Sequence, residues 1–366
     1  MAVPTMPAKR ALAATALAAL TAPQGATGQT TGELVTGVSY SSIHGGTAFA
    51  DIVIEDAFNT GLALDFRARG GEGGHAFSFG VGDSVQLGGR VPGDDASLYY
   101  RLGVSATDWE ADSFASRNAS LALGIAAGLS PTLSYRAETF WDGVETDDLD
   151  PALSPLLLRD EGRATAYGIG LSLHHDGRRG AGLLAPGIEA SAGLRFAASP
   201  DTRATTQATL AASGVAPLGA AGGLRLSGSA GLIEGRAEDG WVPIHDRVLL
   251  GGPAPRGFAY GGIGPRDAAT DDALGGTRFA LASAEYLFPL RGNLILGVFA
   301  DAGSVWSLPG AGGGVVGDDF FMRASYGLSV NWDLDFGTLS VSLADPVRSR
   351  SFDEEQTVSL SLEASF

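Results

Sequence analysis

The sequence predicts an all-β chain: a transmembrane antiparallel β-barrel of about sixteen strands, with one long loop folding inward. Three observations predict it. Apolar and polar residues alternate with a period of two through most of the chain, as in a wall with lipid on one side and a lumen on the other. Glycine is abundant, at 54 of 366 residues, roughly double its average share of about 7%. No stretch approaches the ~18 consecutive apolar residues expected of a membrane-spanning helix.

Composition narrows the function. With 41 acidic and 24 basic residues the formal net charge is −17, which argues against a nucleic-acid surface, since that needs clustered cations. The absence of cysteine excludes a disulfide scaffold, a Cys-type zinc site, an iron–sulfur cluster and a thiol nucleophile. A hydrophobic share of 45% argues against disorder. Lys9 is the sole lysine, so every other base is an arginine.

Residues 1–28 read as a secretory signal peptide. Lys9 and Arg10 precede the small apolar run Ala11–Ala22, and Ala26-Thr27-Gly28 supplies small residues for cleavage. At about 12 residues the run is too short to cross a bilayer as a helix. Residues 29–366 are then expected to form a single barrel domain.

The first eight strands are expected near Gly32–Ser42, Thr47–Phe58, Gly61–Arg69, His75–Asp83, Ser97–Trp109, Ser116–Gly128, Pro131–Trp141 and Arg163–His174. The next eight are expected near Gly187–Ala198, Thr202–Ala216, Gly222–Ile233, Arg278–Phe288, Leu294–Trp306, Phe321–Leu334, Thr338–Ala344 and Thr357–Phe366. The last is the clearest. Val358, Leu360, Leu362, Ala364 and Phe366 alternate with Thr357, Ser359, Ser361, Glu363 and Ser365. Leu360, Leu362, Ala364 and Phe366 form a C-terminal barrel signature, ending on an aromatic. Each strand with its connection has about 21 residues, enough for the ~9–11 that a tilted strand needs to cross. Gly, Asp and Pro clusters mark the connections, among them Gly70–Gly74, Val91–Asp95, Asp147–Asp160 and Pro309–Asp319. One connection, from about Glu234 to Gly276, is long and has no pattern of its own. Such loops are usually functional. Trp109, Trp141 and Trp306 fall near expected strand ends, which suits an interfacial aromatic girdle.

The long loop contains Gly251-Gly252-Pro253-Ala254-Pro255-Arg256-Gly257-Phe258 and then Ile263-Gly264-Pro265. Downstream come Ala282–Pro289 with Glu285, Val298–Trp306 with Asp301, and Ser325-Tyr326-Gly327-Leu328, Trp332 and Ala344-Asp345-Pro346. This ordered set resembles the BamA/TamA superfamily of outer-membrane barrels, the bacterial surface antigen type. The family carries G-G, then V-R-G-F or V-R-G-Y, in its long sixth extracellular loop. Pro255 stands where the family usually has Val, and Thr338 where a second proline is common. Leu171–Arg178 is similar to the family's strand ending in D-x-R-D. The strong match spans about Val242 to Phe366.

Alternation puts Glu285 in phase with Ser283 and Leu287, and Asp301 in phase with Phe299 and Gly303. Neither carboxylate can face lipid cheaply, since a charge near the midplane costs several kcal/mol, so both are expected inside. A guanidinium offers five fixed donors and can meet two carboxylates. The resemblance implies that pairing, with Arg256 joined to Asp301 and Glu285, Gly257 turning the backbone and Phe258 packing on the inner wall.

The resemblance also implies a place in the outer membrane of a Gram-negative bacterium, and an accessory role in inserting or translocating protein or lipid there. It implies a weak seam between the first and last strands, contact with outer-membrane lipid, and no cofactor. Most relatives carry periplasmic POTRA domains, whereas here the barrel begins almost at the leader. A periplasmic or outer-membrane partner is therefore expected to supply that function in trans. The alternative is a passive or gated pore plugged by the Arg256 loop. No enzyme is expected. The five histidines have no H-x-x-x-H or H-E-x-x-H spacing, and no G-x-S-x-G elbow is present.

Overall fold

A computed structural model of the chain describes residues 31–365 apart from 42–44, 58–61, 72–73, 88–93, 110–113, 148, 181, 201–202, 220–221, 253, 291–292 and 335–336. The leader assigned to residues 1–28 and the terminal Phe366 lie outside the described residues.

Sixteen antiparallel strands close into one barrel. The first eight are β1 (Thr31–Ser41), β2 (Gly45–Ala57), β3 (Leu62–Gly71), β4 (Gly74–Gln86), β5 (Asp94–Trp109), β6 (Phe114–Ser130), β7 (Leu133–Asp147) and β8 (Gly162–Asp176). The rest are β9 (Gly187–Ala198), β10 (Thr205–Pro217), β11 (Gly223–Gly235), β12 (Arg278–Pro289), β13 (Leu294–Trp306), β14 (Arg323–Leu334), β15 (Gly337–Arg348) and β16 (Val358–Ser365). Each strand pairs with its neighbour in sequence, and β1 pairs with β16 to close the wall.

Alternation explains why these segments are strands. On β8, Tyr167, Ile169, Leu171 and Leu173 all stand about half exposed on the lipid side, while Gly168, Gly170 and Ser172 face the lumen between them. The pattern repeats with Leu98, Tyr100 and Leu102 on β5 and with Tyr326, Leu328 and Val330 on β14. Each strand of the closed sheet is paired on both sides, so ladder N–H and C=O groups find partners between strands, as a sheet in hydrocarbon requires.

Two strands run four residues or more past their expected ends. β7 runs on past Trp141 to Asp147, so Trp141 sits within the strand on its outer face and not at its end. Trp306 does end β13, with its ring packed edge-on against Phe320 at 4.8 Å. β15 continues beyond Ala344 through Asp345 and Pro346. Opposite Ala324 and Ser325 of β14 the register shifts, leaving Val347 of β15 as the extra residue, and a bulge tolerates a neighbour that cannot donate to the ladder.

The start of β1 and the end of β16 lie side by side at one rim. At the opposite rim, segments 149–161, 236–277, 307–322 and 349–357 pack into a cap. The short helix α1 (Pro155–Leu158) is capped by the Ser154 hydroxyl, which accepts from the Leu156 N–H. Leu153 and Leu157 pack there against Leu274 and Leu308. The sequence predicts a long connection with no pattern of its own, and the structure differs. It holds a 3-10 turn at Ile244–Asp246 and two strand fragments whose partners lie in other loops: Gly257–Phe258 with Glu355–Gln356, and Arg266–Asp267 with Val315–Val316.

The two faces of β8 predict opposite responses to charge. Ile169→Arg, on the lipid face, should destabilise the barrel by about 2–4 kcal/mol, whereas Ser172→Arg, on the lumen face, should be nearly neutral. Equilibrium unfolding in urea from lipid vesicles measures both.

Candidate functional site

The inner faces of β11 to β14 bring the loop and the wall together. In an antiparallel sheet, residues directly opposite share a face. Ser283, Asp301 and Ser325 form one such row across β12, β13 and β14. Arg225, Glu285, Phe299 and Gly327 form the next, across β11 to β14. Glu285 is 1% exposed and Asp301 4%, so each carboxylate must find its partners inside the protein.

Arg256 reaches this wall from the loop. Its Nε and Nη2 donate to the two oxygens of Asp301 at 2.8 and 2.9 Å, a bidentate fork. Its backbone N–H donates to the same carboxylate at 3.1 Å, and its carbonyl accepts from the Ser325 hydroxyl. The guanidinium carbon lies 3.4 Å from the centre of the Phe299 ring, a cation–π contact. Ser283 donates to Asp301 at 2.6 Å. Gly257 has φ +96, a left-handed conformation that glycine adopts without penalty, and this turns Phe258 inward. Phe258 is fully buried with Leu250, Ile263 and Val305.

Glu285 is more distant from Arg256, at 3.5 Å from Nη1. Its closest partners are Arg225 on β11 and the Ser329 hydroxyl, which donates at 2.5 Å. Sequence reasoning missed Arg225, because β11 and β12 are neighbours only across the long loop. It also gave Ser283, Phe299 and Ser329 no part in the site. Leu360, Leu362 and Ala364 lie along β16, opposite Val38, Thr36 and Leu34 of β1. Beyond the short rim of β8, Arg178 makes a bidentate pair with Asp176 at 3.0 and 2.8 Å.

Above this site the cap has its own ion pairs. Arg323 and Asp353 are both fully buried and bound through two hydrogen bonds. Arg203 holds Asp246. Arg247 donates to the Val242 and Leu274 carbonyls and to Asp160. Trp241 lies between the guanidiniums of Arg159 and Arg247 and donates its indole N–H to Asp160. His245 Nε2 sits 2.7 Å from the Thr146 hydroxyl. Burial and then the nearby Arg203 charge push the His245 imidazole down to about 4.

Residues 57–366 match the Omp85 superfamily domain. The chain belongs to the Omp85 superfamily. It is accordingly an outer-membrane β-barrel of a Gram-negative bacterium. A 141-residue stretch is 34% identical to the outer membrane protein assembly factor BamA of Neorickettsia risticii, covering 37% of this chain and 19% of that protein. The match thus spans about a fifth of that curated relative's length. The crystal structure of BamA from Haemophilus ducreyi lacking POTRA domains 1–3 superposes with a TM-score of 0.70 at 19% identity, over 92% of this chain and 71% of that one. CdiB from Acinetobacter baumannii shares the fold at a TM-score of 0.59 and 14% identity, over 93% of this chain and 60% of that one.

Within this Omp85 barrel, two substitutions probe the site and its cap. Arg256→Ala leaves buried carboxylates without their fork partner and should cost about 3–5 kcal/mol, with loop 254–277 becoming open to protease. Arg256→Lys should be only a partial remedy, because an ammonium cannot reproduce the bidentate fork. Thermal unfolding and limited proteolysis report both. The His245 imidazole titrates lower in the fold than its unfolded value of 6.5. Its contribution to stability is therefore complete above 6.5 and is lost as the pH falls toward 4. Protease sensitivity of the cap should rise in that window, and His245→Gln should flatten the rise.

Proposed function

We propose that this barrel is an accessory in outer-membrane biogenesis, assisting the insertion or translocation of protein or lipid by opening between its first and last strands. The carrying observation is the attachment of β16. Among the described residues it is the shortest strand of the wall, with 8 against 17 in β6. Its ladder with β1 runs only from Glu33↔Ser365 to Tyr40↔Val358, and its ladder with β15 only from Gly337↔Ala364 to Leu343↔Val358. The β6/β7 ladder, by contrast, runs from Ala115↔Asp147 to Ser130↔Leu133. Fewer ladder hydrogen bonds make β16 the strand that separates at least cost.

In this reading Arg256, Gly257, Phe258, Glu285 and Asp301 form a loop lock next to that strand. Gly257–Phe258 pairs with Glu355–Gln356, directly before β16. A periplasmic or outer-membrane partner presents the client in trans, and outer-membrane lipid receives it. The cycle needs no catalytic residue.

The position of the Arg256 loop inside the lumen favours a second reading, a gated pore plugged by that loop. One pair of substitutions separates the two. Ser39 and Ser359 lie directly opposite across the closing seam, and the chain has no cysteine of its own. Ser39→Cys with Ser359→Cys should staple the seam under oxidation. The expected result is the outer-membrane protein and lipid profile of a strain lacking the protein, reversed by reductant. A stapled barrel that sustains a normal envelope, and conducts ions in planar bilayers once the loop is deleted, would replace this proposal with the pore.

A further inference from the structure

Away from the loop, the lumen wall carries a second cluster. Tyr99 on β5 donates its hydroxyl hydrogen to Glu138 Oε2 on β7 at 2.5 Å. Its ring lies over Gly124 of β6, where an added Cβ would fall 2.7 Å from the ring, so the pocket for the ring is built into the intervening strand. The Arg101 and Arg136 guanidinium carbons lie 5.9 and 5.1 Å from the centre of that ring. All four residues sit on the strand faces opposite Leu98, Tyr100, Leu102 and Trp141, which point to lipid.

The two arginines differ from those around the loop. Arg195, Arg203, Arg225, Arg256 and Arg323 each have a carboxylate partner. Among the described residues, Arg101 and Arg136 make no ion pair, and both are exposed to the lumen. Two guanidiniums beside one ring and a single carboxylate leave the cluster net cationic toward the lumen, a surface suited to an anion. Their planar forks match phosphate oxygens. Glu138 uses Oε2 for Tyr99, and its Oε1 accepts no hydrogen bond among the described residues. It thus offers an acceptor beside the cations. A run of carboxylates would meet repulsion there, whereas one phosphate with an attached ammonium satisfies both signs.

We propose that Arg101, Arg136, Tyr99 and Glu138 form a lumenal binding site for a phosphate ester carrying an amine, of the phosphoethanolamine type. The site is independent of what the barrel inserts or conducts, and it can be tested on the isolated protein.

The test is calorimetric titration of the full chain in a non-ionic detergent. The probes are short-chain phosphatidylethanolamine, short-chain phosphatidylglycerol, inorganic phosphate and an aspartate octapeptide. Binding of phosphatidylethanolamine should weaken about tenfold or more in Arg101→Gln/Arg136→Gln, the scale of lost charged hydrogen bonds. Glu138→Gln should remove the preference for phosphatidylethanolamine over phosphatidylglycerol while leaving binding of the latter. Phosphatidylethanolamine binding not matched by inorganic phosphate identifies a lipid headgroup as the source. Equal binding of inorganic phosphate, lost in the same variant, identifies free phosphate and keeps the phosphate chemistry. Unchanged affinity in the double variant overturns the proposal, as does binding of the octapeptide alone. Heat-modifiable gel migration verifies that each variant is folded. Arg101→Lys/Arg136→Lys, which keeps the charge and loses the fork, should bind with intermediate affinity and serves if the glutamine pair fails to fold.

Discussion

A carboxylate buried in a membrane barrel has few acceptable surroundings, and Asp301 organises much of the lumen around that fact. Lipid is closed to it, and so is an unpaired interior. Its two oxygens take the Arg256 fork, the Arg256 backbone N–H and the Ser283 hydroxyl. To deliver that fork, the loop must descend into the barrel, and Gly257 must adopt a positive φ to leave again. Apolar inner-wall residues such as Phe279, Leu281 and Val305 then receive Phe258 and Ile263. The inner wall is thus greasy where the loop packs and charged where it is pinned. A buried ion pair adds little net stability, so the pair's main effect is to specify where the loop lies.

Much of the barrel was legible because a membrane imposes the same two-sided contrast on every strand. Tyr167-Gly168-Ile169-Gly170-Leu171 can satisfy lipid and lumen only as an extended chain. Legibility failed where local chemistry ran against that contrast. Asp345 and Pro346 look like a strand end, yet β15 continues through them because a bulge at Val347 absorbs the irregularity. Trp141 looks like a strand-end aromatic, yet six further residues of β7 follow it.

The site was legible only in part, for a different reason. Phase along a strand shows which way Glu285 and Asp301 point, but not which strand lies beside β12. Arg225 therefore stayed hidden until the pairing of β11 with β12 was known. The cap was less legible still. Its fragments, Gly257–Phe258 and Arg266–Asp267, are too short to have a period, and their partners lie about a hundred and about fifty residues away in sequence. Trp241, held between two arginines, has no signature in the sequence at all.

The two-residue ribbon between Gly257–Phe258 and Glu355–Gln356 ties the inward loop to the side wall. Glu355–Gln356 runs almost directly into β16, so a pull on that strand is felt by the loop segment that Arg256 pins to the wall. Holding the segment down resists the pull. Loop and closing strand are therefore coupled mechanically: one small patch of backbone carries force from either to the other.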